Sequence, residues 1–94
     1  MSKAVFSVAW FRREDWGAVQ ETNEGMQNSF DDWLADAESG VAAFERENGA
    51  TVHKVIITAA KLGERHRALG RKLNSNDRSQ LAIQMAASET QGRA

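Results

Sequence analysis

The segment Ser29 to Asn48, SFDDWLADAESGVAAFEREN, constrains the fold more than any other part of the chain. Phe30, Trp33, Leu34, Ala37, Val41 and Phe44 recur at steps of three and four, so a helix here gathers its aromatic and aliphatic side chains on one stripe. Asp31, Asp32, Glu38, Glu45, Arg46 and Glu47 fall on the other face. Ser29 supplies an N-cap hydroxyl, Asp31 and Asp32 suit the positive end of the helix dipole, and Asn48-Gly49 is a natural stop. Such a stripe is stable only when it lies on an apolar surface. Two runs rich in β-formers flank it, Ala4 to Phe11 and Thr51 to Thr58, and these are the predicted strands. Two strands joined through a helix most economically form a parallel pair. Two strands alone make a poor sheet, so an antiparallel pair, or a sheet extended by pairing with a second protomer, is the alternative.

The first run alternates Val5, Ser7, Ala9 and Phe11 with Phe6, Val8 and Trp10, a pattern with both faces at least partly covered. Glu14 and Asp15 open a short helix to about Asn23, with Trp16 and Val19 inward, and residues 24–28 link it to the long helix. In the second strand Val52 and Ile56 share one face, and His53, Val55 and Ile57 the other. Thr58 caps a third helix whose stripe is Leu62, His66, Leu69 and Leu73, and Gly70 is placed to end it. A last helix runs from Asp77 to about Thr90 with Leu81, Ala82, Met85 and Ala86 inward, and residues 91–94 fray. The expected fold is a single α/β (α+β) domain over residues 1–94 with element order β-α(short)-α-β-α-α, a two-stranded sheet packed by the long amphipathic helix.

The chain has 94 residues, so it buries only about two-thirds of its unfolded surface. All seven aromatic residues precede position 45, which concentrates the large apolar groups in the first half. With no cysteine there is no disulfide, thiolate metal site or cysteine nucleophile. The start, MSKAVFSVAWFRREDW, reads as neither a signal peptide nor a membrane span, and a cytoplasmic protein without a membrane partner is expected. Charge is divided. Residues 1–50 carry four basic and ten acidic side chains, and residues 51–94 carry eight basic and three acidic. The two halves either meet in one fold or lie solvated on separate faces; the sharper readings are a basic face for phosphates and an acidic face for a basic protein.

Catalytic patterns are absent from the sequence. His53 and His66 sit on different predicted elements with no cysteine beside them, so neither metal nor cofactor is expected. The carboxylates Asp31, Asp32, Asp36 and Glu38 read as the wet side of a helix. The glycines form no phosphate-cradling motif, and the serines lack a nucleophile elbow. Two constellations remain. In Trp10-Phe11-Arg12-Arg13-Glu14-Asp15-Trp16, the indoles, guanidiniums and acids pin the strand end to the following turn, or else Trp10, Arg12, Arg13 and Trp16 form an exposed protein interface. The last two helices, with Lys61, Arg65, Arg67, Arg71, Lys72 and Arg78, form a structural pair or else a helix-turn-helix for nucleic acid.

The segments FRREDW, FDDWLADAE, NGATVHKVIIT and DRSQLAIQMA together resemble a group of short bacterial proteins of uncharacterised function. The shared marks are an aromatic-Arg-Arg-acid-x-Trp start, a Trp-Leu pair in the long helix and a Gly-x-x-Val-x-x-Val second strand. This chain departs from some members of the group at Gly63-Glu64-Arg65 in the third helix, where they place a Trp. The resemblance implies a compact α/β unit and adds no chemistry. The expected function is a non-enzymatic protein-binding or accessory module, its partner a protein or a second copy of itself. The first alternative is a nucleic-acid-binding regulator, and the second a metal- or small-molecule-dependent enzyme.

Overall fold

A computed structural model describes residues 5–91, with side chains through residue 88; the expected strand start at Ala4 and the fraying of residues 92–94 lie outside the described residues. The elements in chain order are β1 (Val5–Trp10), a 3₁₀ turn (Arg13–Asp15), α1 (Trp16–Thr22), α2 (Phe30–Asn48), β2 (Thr51–Ile56), α3 (Ala59–Leu69) and α4 (Ser75–Gln91). The two strands pair in parallel, with Val5 opposite Thr51 and Trp10 opposite Ile56. The parallel arrangement is thus the observed one, and the fold is a small α+β domain of the expected element order.

Local chemistry accounts for most boundaries. The Ser29 side chain accepts from the Asp32 amide at 3.1 Å and opens α2, which closes on Gly49 at φ 57°. The Thr58 hydroxyl accepts from the Lys61 amide at 3.3 Å and opens α3, which closes on Gly70 at φ 69°. The last helix begins two residues before the expected Asp77. Asn74 Oδ1 accepts from the Asp77 amide and Asp77 Oδ2 accepts from the Asn74 amide, both at 2.9 Å, so Asp77 is the reciprocal partner of the cap and not its first residue.

Residues opposite one another in a parallel pair point to the same side, so Phe6, Val8 and Trp10 share a face with Val52, Lys54 and Ile56. Helix α2 covers this face. Trp33 stands 5.0 Å from Trp10, and Phe44 stands 5.0 Å from Phe6, both edge to face. On the other face Val55 and Ile57 join Leu62, Leu73, Leu81 and Ala82 in the buried core, with α4 lying against β1 and α3 against α1. The stripe of α2 is unevenly used. Trp33 is buried, while Val41 and Phe44 near its C-terminal end are half-buried and Phe6 beneath them is 47% exposed.

One acid-sensitive contact fixes the entry to α4. Arg71 donates to both carboxylate oxygens of Asp77, at 2.6 and 3.2 Å, and this contact, followed by the Asn74 amide, holds the Asp77 carboxyl below its ordinary value of 3.8. A carboxyl whose folded pKa is depressed contributes stability that is complete above the ordinary carboxylate range and is lost as pH falls through that range to the folded value. Urea titrations are therefore expected to show wild type more stable than Asp77→Asn near neutral pH, with the difference shrinking between about pH 5 and pH 3. A constant difference would remove Asp77 from the acid limb.

Candidate functional site

The bond from the Ile57 amide to the Trp10 carbonyl, at 2.9 Å, fixes which backbone groups of each strand face inward. In a parallel ladder alternate residues bond to the neighbour, so Phe6, Val8 and Trp10 turn their N–H and C=O groups toward β2. Val5, Ser7 and Ala9 turn theirs toward the open side. Among the described residues nothing pairs with the outward groups of Ser7 and Ala9. The other edge is treated differently. The outward amide of Val52 on β2 donates to Glu45 Oε2 of α2 at 2.9 Å. The edge of β2 is thus capped by α2 at Val52, and no such cap meets the edge of β1 among the described residues.

The open edge runs along a groove of about 490 Å³ lined by every residue from Phe6 to Phe11. One wall is the α2 stripe Trp33, Ala37, Gly40, Val41 and Phe44, and the other is Ser75, Arg78 and Ser79 of α4. Ala37 and Gly40 keep the first wall concave, and a Cβ built at Gly40 meets nothing within 4 Å. The floor is therefore a strand edge, the upper wall apolar, and the lower wall carries two hydroxyls and a guanidinium.

Arg78 is held by three acceptors. Its Nη1 donates to Asn23 Oδ1 at 3.3 Å, to the Glu24 carbonyl at 3.3 Å and to the Leu73 carbonyl at 3.2 Å. Desolvation pushes its pKa down from the ordinary arginine value. Asn23 itself is 3% exposed and donates to the Val19 carbonyl and the Thr22 hydroxyl, both at 3.0 Å.

The sequence-derived site residues are placed as follows. Trp10 and Trp16, the anchors of the alternative reading as an exposed interface, are each 9% exposed and belong to the aromatic core around Trp33. Arg12, Arg13 and Glu14 of that string reach the surface: Arg12 bonds Asp15 at 2.8 Å, and Arg13 bonds Asp31 at 2.6 Å with its charge 4.7 Å above the Phe30 ring. Within the string Arg12 ties the turn through Asp15, but the cation-π contacts differ from the first reading: Arg13 lies over Phe30, and the cation over Trp10 is Lys54, at 4.5 Å. Of the basic C-terminal residues, Lys61 lies 3.8 Å from Glu64, Arg65 bonds Gln84 at 2.6 Å, Arg71 bonds Asp77, and Arg78 is held as above. The side chains of Arg67 and Lys72 have no partner among the described residues. Among those residues no group of three or more potential ligands is placed to hold a metal ion, and no helix is long and apolar enough to cross a membrane.

Sequence reasoning missed the groove and the link from Asn23 to Arg78. The small residues Ala37 and Gly40 on an otherwise bulky stripe were the available sign of a concave wall. No family model, no curated protein and no solved structure matches this chain.

Proposed function

We propose that this chain is a small, non-enzymatic, cytoplasmic protein-binding module that takes an extended segment of another protein as a third strand beside β1. The observation that carries this reading is the open edge of β1, which lines an apolar groove from Phe6 to Trp10, whereas the edge of β2 is capped by α2 at the Val52 amide. Addition of a strand satisfies the outward N–H and C=O groups of Ser7 and Ala9 and buries Phe6, Val41 and Phe44 further. Nucleic-acid contact has less support, because four of its six basic candidates are already engaged within the fold.

Two substitutions test the reading without breaking the β1–β2 ladder. Ala9→Pro removes an outward N–H that the ladder does not use. Gly40→Leu fills the groove from the helix wall and exchanges a helix-interior glycine for a good helix former, worth up to about 1 kcal/mol. Fluorescence anisotropy with the labelled peptide Val-Ser-Val-Ser-Val is expected to show saturable binding to wild type and at least tenfold weaker binding to either variant. Gly40→Leu is also expected to melt no lower than wild type. Absence of binding to wild type, or equal binding by all three proteins, overturns the reading.

A further inference from the structure

The two walls of the groove differ in a way that specifies the guest. Arg78 is half-buried, yet all three acceptors of its Nη1 are neutral oxygens and no carboxylate lies within ion-pair distance of it among the described residues. Its remaining donors, on Nη2 and Nε, make no hydrogen bond there. Glu24 and Asp77 act on this half-buried guanidinium only from beyond ion-pair distance, and it gains most from a carboxylate in direct contact, which it binds through two parallel bonds. Ser75 and Ser79 flank it on the same helix and line the groove with it. We infer that the groove selects an extended peptide in which apolar residues alternate with Asp or Glu, the apolar side chains lying against the α2 stripe and one carboxylate meeting Arg78.

The alternation follows from strand geometry. Successive residues of an added strand point to opposite faces, so those directed at α2 meet Ala37, Val41 and Phe44, and those between them meet α4. A guest of about five residues spans the outward groups from Val5 to Ala9 at about 3.3 Å per residue. Charge also separates this guest from a second copy of the chain. The strand VFSVAW carries no carboxylate, so two chains paired edge to edge through β1 leave each Arg78 unmatched.

This inference rests on the strand-addition reading and is tested beside it by changing the peptide and not the protein. Labelled Val-Glu-Val-Glu-Val, Val-Ser-Val-Ser-Val and Val-Lys-Val-Lys-Val are titrated into wild type, Gly40→Leu and Arg78→Gln, with the fold of each variant checked by circular dichroism. The glutamate peptide is expected to bind wild type at least tenfold more tightly than the serine peptide and the lysine peptide more weakly still. Arg78→Gln should level that order, and Gly40→Leu should weaken all three. If the three peptides bind wild type equally but remain sensitive to Gly40→Leu, strand addition stands and the acidic preference is overturned. If no peptide binds, both fall, and the same holds if sedimentation shows a stable dimer through β1 that excludes peptide. Decanoate is titrated as a competitor; Arg78-dependent decanoate binding with no peptide binding assigns the groove to apolar carboxylates and overturns the peptide. Should Arg78→Gln fail to fold, the ranking of peptides on wild type decides alone.

Discussion

Trp33→Ala is expected to cost about 3–5 kcal/mol, the range for truncating a buried aromatic. The indole lies within ring-contact distance of Trp10 at 5.0 Å, Phe11 at 5.1 Å, Phe30 at 5.4 Å and Trp16 at 6.0 Å, so its removal opens a cavity that four other rings border. A domain of this size has only about 5–14 kcal/mol of total stability. The loss therefore translates into a fall of roughly 15–30 °C in Tm, read by circular dichroism and by the emission of the two remaining tryptophans. Phe44→Ala on the same helix supplies the contrast. Phe44 is half-buried and touches Phe6, which is 47% exposed, so its truncation is expected to cost only about 1–2 kcal/mol. Equal losses at the two positions would show the groove end of α2 to be packed as firmly as its N-terminal end, and the groove itself would then be in doubt.

That contrast also explains which parts of the fold were legible in the sequence. Caps act over three residues, so Ser29, Thr58, Gly49 and Gly70 announced the ends of α2 and α3 without any tertiary information. Periodicity placed Trp33, Val19, Leu62 and Leu81 inside, where they are found. A stripe, however, states only that a face is apolar and not how much surface exists to cover it. The sheet beneath α2 is two strands wide, so Val41 and Phe44 are only half covered. Trp10 and Trp16 were ambiguous for the related reason that aromatic, basic and acidic residues in close succession suit a buried corner and an exposed interface alike. The open edge of β1 was invisible, because side-chain alternation identifies faces and carries no information about which edge finds a partner.

Asn23→Ala is expected to cost about 2–3 kcal/mol, more than its small volume suggests, because it sits where chain segments about fifty residues apart are tied together. The Glu24 amide donates to the Leu73 carbonyl at 2.9 Å and the Leu73 amide to the Thr22 carbonyl at 2.8 Å, making a short parallel bridge outside the main sheet. The Asn23 side chain fastens this bridge to α1 through Val19 and Thr22 and to α4 through Arg78. Removing it takes an acceptor from a half-buried guanidinium, and bonds to charged groups are worth about 1.5–3 kcal/mol. Neither residue showed this in the sequence, where Asn23 reads as a helix end and Arg78 as one cation of a basic face. Urea titrations of Asn23→Ala, Arg78→Met and the double variant are expected to give a combined loss smaller than the two single losses together, since each substitution breaks the same bond. Strict additivity would dissolve the link. Because Arg78 also lines the groove, loosening Asn23 is expected to weaken binding of the glutamate peptide more than that of the serine peptide, and the tie between α1 and α4 then becomes the element that holds the cation in register with β1.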